Sequence, residues 1–167
     1  MASKRAAVRT FATSVDIPAA DRARAVKALN QHLADAADLW SQAKQAHWNV
    51  KGPDFWQLHK LFDEVAGEAA NWADLCAERT TALGGFATGT VRMAAAASSL
   101  PEFPTDITDS MDYVRALAAR LATFTNSARQ AIDATDKLGD ADTADLFTEI
   151  SRCADKYLYF LEAHLQD

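Results

Sequence analysis

KQAHWNVKGPDFWQLHKLFDEVAGEAANWADLCAERTTALGG, residues 44–85, is the stretch whose pattern decides the fold. It begins inside one helical pattern, breaks at Gly52-Pro53 and resumes as a second pattern that stops at Gly84-Gly85. Proline suits the first turn of a helix and glycine its end, so the stretch predicts a helix, a tight connection and a second helix from about Asp54 to Leu83. Upstream, Pro18–Trp48 carries Leu29, Leu33, Ala36, Ala37, Trp40 and Ala43 at helical spacing, which predicts a long first helix with one apolar face. Downstream lies a long connection, residues 86–105, with Pro101 and Pro104 and an Ala-rich segment, Val91–Ala97, read as a short helix within it. Two more helical patterns follow, Thr105–Leu138 ending at Gly139, and Asp140–His164.

Two short connections and one long one predict an all-α, ferritin-like four-helix bundle with one long crossover carrying a short helix. The composition agrees: 49% hydrophobic residues, abundant alanine, six glycines and four prolines in 167 residues. That length supports one core, expected over residues 17–167. No apolar run approaches the roughly 18 residues of a membrane helix, so no membrane partner is expected. The net charge is −6, but residues 1–15 hold Lys4, Arg5 and Arg9 and no acid. Residues 1–16 are therefore read as a flexible basic tail on an acidic body. Such a body repels nucleic acid and attracts cations. Cys76 and Cys153 lack metal-type spacing and are read as reduced packing residues. The N-terminus has no apolar core of the secretory kind, and a cytoplasmic location is expected.

The residues with most chemical content lie on the second helix. On a wheel of about 100° per residue with His59 at zero, Asp63 falls near 40°, Asp74 near 60° and Glu78 near 100°. Glu64 and Glu68 fall near 140° and 180°, so the stripe is not simply a charged face. At about 1.5 Å per residue, His59 and Glu78 stand roughly 28 Å apart, and Asp63 and Asp74 roughly 16 Å. Metal ligands sit about 2 Å from their ion, so one helix cannot bring both ends of the stripe to one metal. A second copy can. Positions 59 and 78, 63 and 74, and 67 and 70 mirror one another about the point between Glu68 and Ala69. Two such helices packed antiparallel on a two-fold axis would place His59 against the partner's Glu78 and Asp63 against the partner's Asp74. Gly67 and Ala70 would permit close approach at the centre, and His47 could close each cluster from the side. Two histidines with three carboxylates suit ferrous iron, and also zinc or manganese.

Other readings compete with this one. A lone histidine on an Ala-rich helix is more often a packing or surface residue, and acids at helical spacing are more often simply solvated. An intrachain di-iron oxygenase or manganese catalase would supply Glu-x-x-His pairs from its bundle, yet no glutamate here has a histidine three residues on. A purely DNA-compacting nucleoid protein with little oxidase activity would need no metal ligands.

At these same residues the sequence resembles a known family. KQAHWNVKGPDF at 44–55, LHKLFDE at 58–64, DLCAE at 74–78, ALGG at 82–85, TADLF at 143–147 and DKYLYFLEAHL at 155–165 resemble Dps, the DNA-binding mini-ferritins of starved bacteria. The resemblance covers nearly the whole chain past residue 17. It implies a hollow dodecamer, built from two-fold dimers, that oxidises ferrous iron with hydrogen peroxide and stores the ferric product. It also implies protection of DNA by a ferroxidase associated with the nucleoid. The implied iron ligands are His47, His59 and Asp63 of one chain with Asp74 and Glu78 of another. The match of the TAD region makes Asp142 and Asp145, with Asp136 as a further candidate, the acids of a pore for incoming iron. The alternative there is helix capping, which favours aspartate anyway. Trp48 is implied as a trap for radicals leaving the iron site, against the more usual role of tryptophan in packing at a core or interface.

Overall fold

The computed structural model describes residues 8–166. Its helices are α1 (Ala19–Asn49), α2 (Phe55–Ala82), α3 (Val91–Ala97), α4 (Ser110–Asp136) and α5 (Ala141–Ala163). Helices α1 and α2 form one antiparallel hairpin, α4 and α5 the other, and residues 83–109 cross between them with α3 lying on α1. The predicted bundle, its crossover and the short helix at Val91–Ala97 are all present.

Each long helix buries one face. The core is built from Leu29, Leu39 and Ala43 of α1, Leu58, Phe62, Val65 and Trp72 of α2, Leu117, Leu121 and Phe124 of α4, and Phe147, Ile150 and Leu161 of α5. Burial of this apolar surface, at about 25 cal/mol per Å², is the main stabilising contribution. Among the described residues, no helix is long and apolar enough to cross a membrane.

Three expectations need correction. The third long helix begins at Ser110, not Thr105, because the Asp109 carboxylate accepts the Met111 N–H at 2.8 Å and caps the helix there. Trp40 is 43% exposed and does not join the core. Leu39 is buried instead, while Trp40 stands on the rim of α1 beside Val91 and Ala94 of α3. Of the other tryptophans only Trp72 is buried, stacked on Phe124 with ring centroids 5.3 Å apart; Trp48 and Trp56 are exposed. Both cysteines are free, Cys76 fully buried and Cys153 partly so.

Part of the segment read as a flexible tail is held against the body. The Phe11 N–H donates to Gly84 O at 2.8 Å and the Thr13 hydroxyl donates to Ala82 O at 3.3 Å. The Arg22 guanidinium donates to Val15 O and Ile17 O. Gly84 makes room for this strap: its φ is +79°, and a Cβ there would come within 2.5 Å of Phe11 O. Arg9 lies over the Phe11 ring at 4.8 Å, whereas Lys4 and Arg5 lie outside the described residues.

Candidate functional site

The α1–α2 connection sets the site. Val50 closes α1, Gly52 turns the chain with φ +109°, and α2 runs back beside α1. This places His47, in the last turn of α1, against His59, in the second turn of α2. The two rings stack with centroids 3.7 Å apart and planes 19° from parallel. His47 Nδ1 lies 2.7 Å from His59 O, and His59 Nδ1 lies 2.9 Å from His47 O. A carbonyl oxygen only accepts, so each Nδ1 carries the hydrogen, and each ring, when neutral, has its lone pair on Nε2. Backbone tethering of one ring nitrogen is what holds a histidine ready to ligate through the other.

Asp63 follows one turn after His59. Its Oδ1 lies 3.9 Å from His47 Nδ1 and only 2.6 Å from Lys44 Nζ. The Lys44 ammonium, donating to that oxygen, holds the Asp63 carboxyl below the usual carboxylate range; burial works against it, and the charges of Lys44, His47 and His59 add to the lowering. Lys44 is the residue that the sequence reading missed. The signal was available, since Lys44 and His47 sit three residues apart on one helix and so share a face.

Asp74 and Glu78 do not join this group within the chain. Both lie on the same unbroken α2, exposed, at the other end of the stripe. Among the described residues, no cluster of three His, Cys, Asp or Glu side chains within one chain could hold a metal. The stripe as a whole faces away from the core: Asp63, Gly67, Ala70, Asp74 and Glu78 are exposed, while Leu58, Phe62, Val65, Ala69, Trp72 and Cys76 are buried opposite. A Cβ added at Gly67 would meet nothing within 4 Å, so nothing inside the chain explains the small residue there.

The candidate pore acids gather where α4 meets α5. Asp136 ends α4, Asp142 and Asp145 lie in the first turns of α5, and all three are exposed. Capping is done by another residue. Asp140, 1% exposed, accepts the Thr143 N–H and receives Arg79 Nη2 at 2.6 Å. Asp140 is thus the side-chain cap, while Asp142 lies in the first turn, where the helix dipole favours an acid. Arg79 also donates to the Thr143 hydroxyl and stands 3.8 Å from Asp142, tying the end of α2 to this corner. Trp48, next to His47, is 59% exposed, with Lys44 Nζ at 5.9 Å from its ring.

The family profile described as Ferritin: Ferritin-like domain matches residues 26–167. The DNA protection during starvation protein of Agrobacterium fabrum is 41% identical over 160 residues, covering 96% of this chain and 99% of that one. This chain belongs to the Dps family. The Dps homologue of the archaeon Halobacterium salinarum superposes with a TM-score of 0.90 at 28% identity, covering 99% of this chain and 92% of that one. The Dps of Microbacterium arborescens, solved in a high iron form, superposes with a TM-score of 0.85 at 33% identity, covering 93% of this chain and all of its own. A Dps fold thus carries the two histidines and Asp63 at one end of α2 and the remaining two carboxylates at the other.

Proposed function

We propose that two copies of this chain pair α2 against α2 about a two-fold axis and oxidise ferrous iron between them. His47, His59 and Asp63 of one protomer would hold the iron together with the partner's Asp74 and Glu78, and zinc or manganese could take the same positions. Hydrogen peroxide is the oxidant in this reading. One peroxide and two protons take one electron from each of two ferrous ions, giving two ferric ions and two waters. Withdrawing both electrons together releases no hydroxyl radical. The ferric product would be stored in a hollow dodecamer built from these dimers. In this reading DNA is protected because iron and peroxide are both consumed; the name of the Agrobacterium relative describes DNA protection for that protein.

One observation carries the reading: the half-site at one end of α2 is preorganised and incomplete. Its histidines hold Nδ1 to backbone carbonyls and leave Nε2 for ligation, yet among the described residues no group of three His, Cys, Asp or Glu side chains within one chain could hold a metal. The donor chemistry fits ferrous iron, with neutral imidazole nitrogens and carboxylate oxygens and no thiolate. In the same reading Asp142 and Asp145, with Asp136, line a pore for incoming iron, and Trp48 intercepts a radical that escapes. Lys4, Arg5 and Arg9 supply contact with DNA phosphates without sequence preference.

The test is the ratio of peroxide consumed to ferrous iron oxidised, with a radical trap present. One peroxide per two ferrous ions and no trapped radical supports paired irons. A one-to-one ratio with trapped radicals would sink them. DNA compaction without peroxide consumption would favour a purely architectural particle.

A further inference from the structure

We infer that Lys44 is an exchangeable counter-cation of the iron site: it holds Asp63 in the metal-free protein, leaves when an ion binds, and keeps the site's affinity low. The inference rests on the reading that Asp63 is an iron ligand, and it concerns a residue outside that ligand set.

The Lys44–Asp63 contact, at 2.6 Å, is the shortest ion pair linking the two helices of the α1–α2 hairpin among those described. It takes the carboxylate oxygen that also lies nearest His47. The ammonium is the more enclosed partner, its side chain 21% exposed against 51% for Asp63. An ammonium has donors only, so it cannot share a lone pair with a metal ion. An ion ligated by Asp63 would also bring at least two positive charges beside a third. Repulsion between the ammonium and the incoming ion therefore drives lysine away from Asp63 as the ion binds. The side chain is suited to that movement, because it is a single point charge on a flexible four-carbon stem, not a forked guanidinium. A second resting place is at hand: Nζ already lies 5.9 Å from the ring of Trp48, one turn further along α1, where a cation is attracted to the aromatic face.

Each binding event thus exchanges a charge-assisted hydrogen bond for metal ligation, and each release of product restores it. A site that turns iron over and passes it to a store benefits from weak holding. The ammonium returning to Asp63 competes with the ferric ion for the same oxygen.

The experiment is a calorimetric titration of the metal-free protein with cobalt(II), read independently by the cobalt ligand-field spectrum, so that no turnover is required. Lys44→Met should bind cobalt at least about tenfold more tightly than the parent, the equivalent of losing one competing charge-assisted hydrogen bond. Lys44→Arg, which keeps the charge, should not gain affinity. Lys44→Gln repeats the test if Met folds poorly. Equal affinity in parent and Lys44→Met, with binding abolished by Asp63→Asn, would overturn the role of Lys44 and leave the iron site standing. Affinity unaffected by Asp63→Asn would overturn both.

Discussion

His47 and His59 hold each other in place: each donates its Nδ1 hydrogen to the other's backbone carbonyl, and the two rings lie stacked at 3.7 Å. The pair ties the last turn of α1 to the second turn of α2. Each hydrogen bond is worth about 1 kcal/mol, and the stacked rings add coupling beyond that. In the metal-free protein, His47→Ala and His59→Ala should each lower the urea-unfolding free energy by about 1–2 kcal/mol. The double variant should depart from the sum by about 0.5–1 kcal/mol. Strict additivity would mean that the rings do not support each other.

In the proposed α2–α2 dimer, Gly67 separates the stability of one chain from the pairing of two. A Cβ there meets nothing within the chain, and alanine is favoured over glycine inside a helix by about 1 kcal/mol. Gly67→Leu should therefore leave each protomer's fold intact while pushing the two α2 helices apart. Circular dichroism should show undiminished helix, and mass measurement should show weakened assembly. Unchanged assembly would place the two-fold contact elsewhere.

The proposed distribution of ligands along α2 predicts complementation. His59→Ala and Glu78→Ala should each be nearly inactive. In a mixed dimer one cluster combines both lesions, and the other combines the intact His59 with the intact Glu78. Co-assembly at equal amounts should restore up to about a quarter of the ferroxidase rate if pairing is random. Mixed particles no more active than either parent would count against a site shared between chains.

DNA binding should depend on the first residues and on salt. Lys4 and Arg5 precede the strap, while Arg9 already lies over Phe11. Few basic residues per tail give weak phosphate contact singly, but many tails on one particle add by avidity. A gel-shift assay should show duplex binding at low salt that collapses as salt rises and is lost on removing residues 1–15. Full binding by the truncated protein would identify another surface.

Asp155 links stability to pH. It receives Arg129 at 2.7 and 3.1 Å and the Thr125 hydroxyl at 2.8 Å, and the Arg129 hydrogen bond holds its carboxyl below the ordinary value. A depressed folded value means stability that is present above the unfolded pKa and lost as pH falls through the folded one. Arg129→Gln should cost under about 1 kcal/mol at neutral pH, because the pair is half exposed. The difference from the parent should close as pH drops below about 4, the unfolded carboxylate value. A gap that persists in acid would assign the loss to packing.

The sequence by itself determined the helix count, the crossover with its short helix, and the stripe of His59, Asp63, Asp74 and Glu78. All of these follow from local rules: glycine and proline punctuation, the 3.6-residue period and the rise per residue. It also ruled out His59 and Glu78 of one helix sharing an ion, because a helix has a fixed length per residue. Only the tertiary structure decided what depends on which helices touch. The His47–His59 lock and the Lys44–Asp63 pair join residues of different helices through the exact path of the Val50–Asp54 turn, which no period encodes. Trp40 failed as a core residue because α1 turns Leu39 inward and leaves Trp40 43% exposed on its rim, a matter of helix placement and not of hydrophobicity. The strap was unreadable for a related reason. Residues 8–17 show no helical or strand period, and what fixes them is hydrogen bonding to Gly84 O, Ala82 O and the Arg22 guanidinium, groups on other parts of the chain.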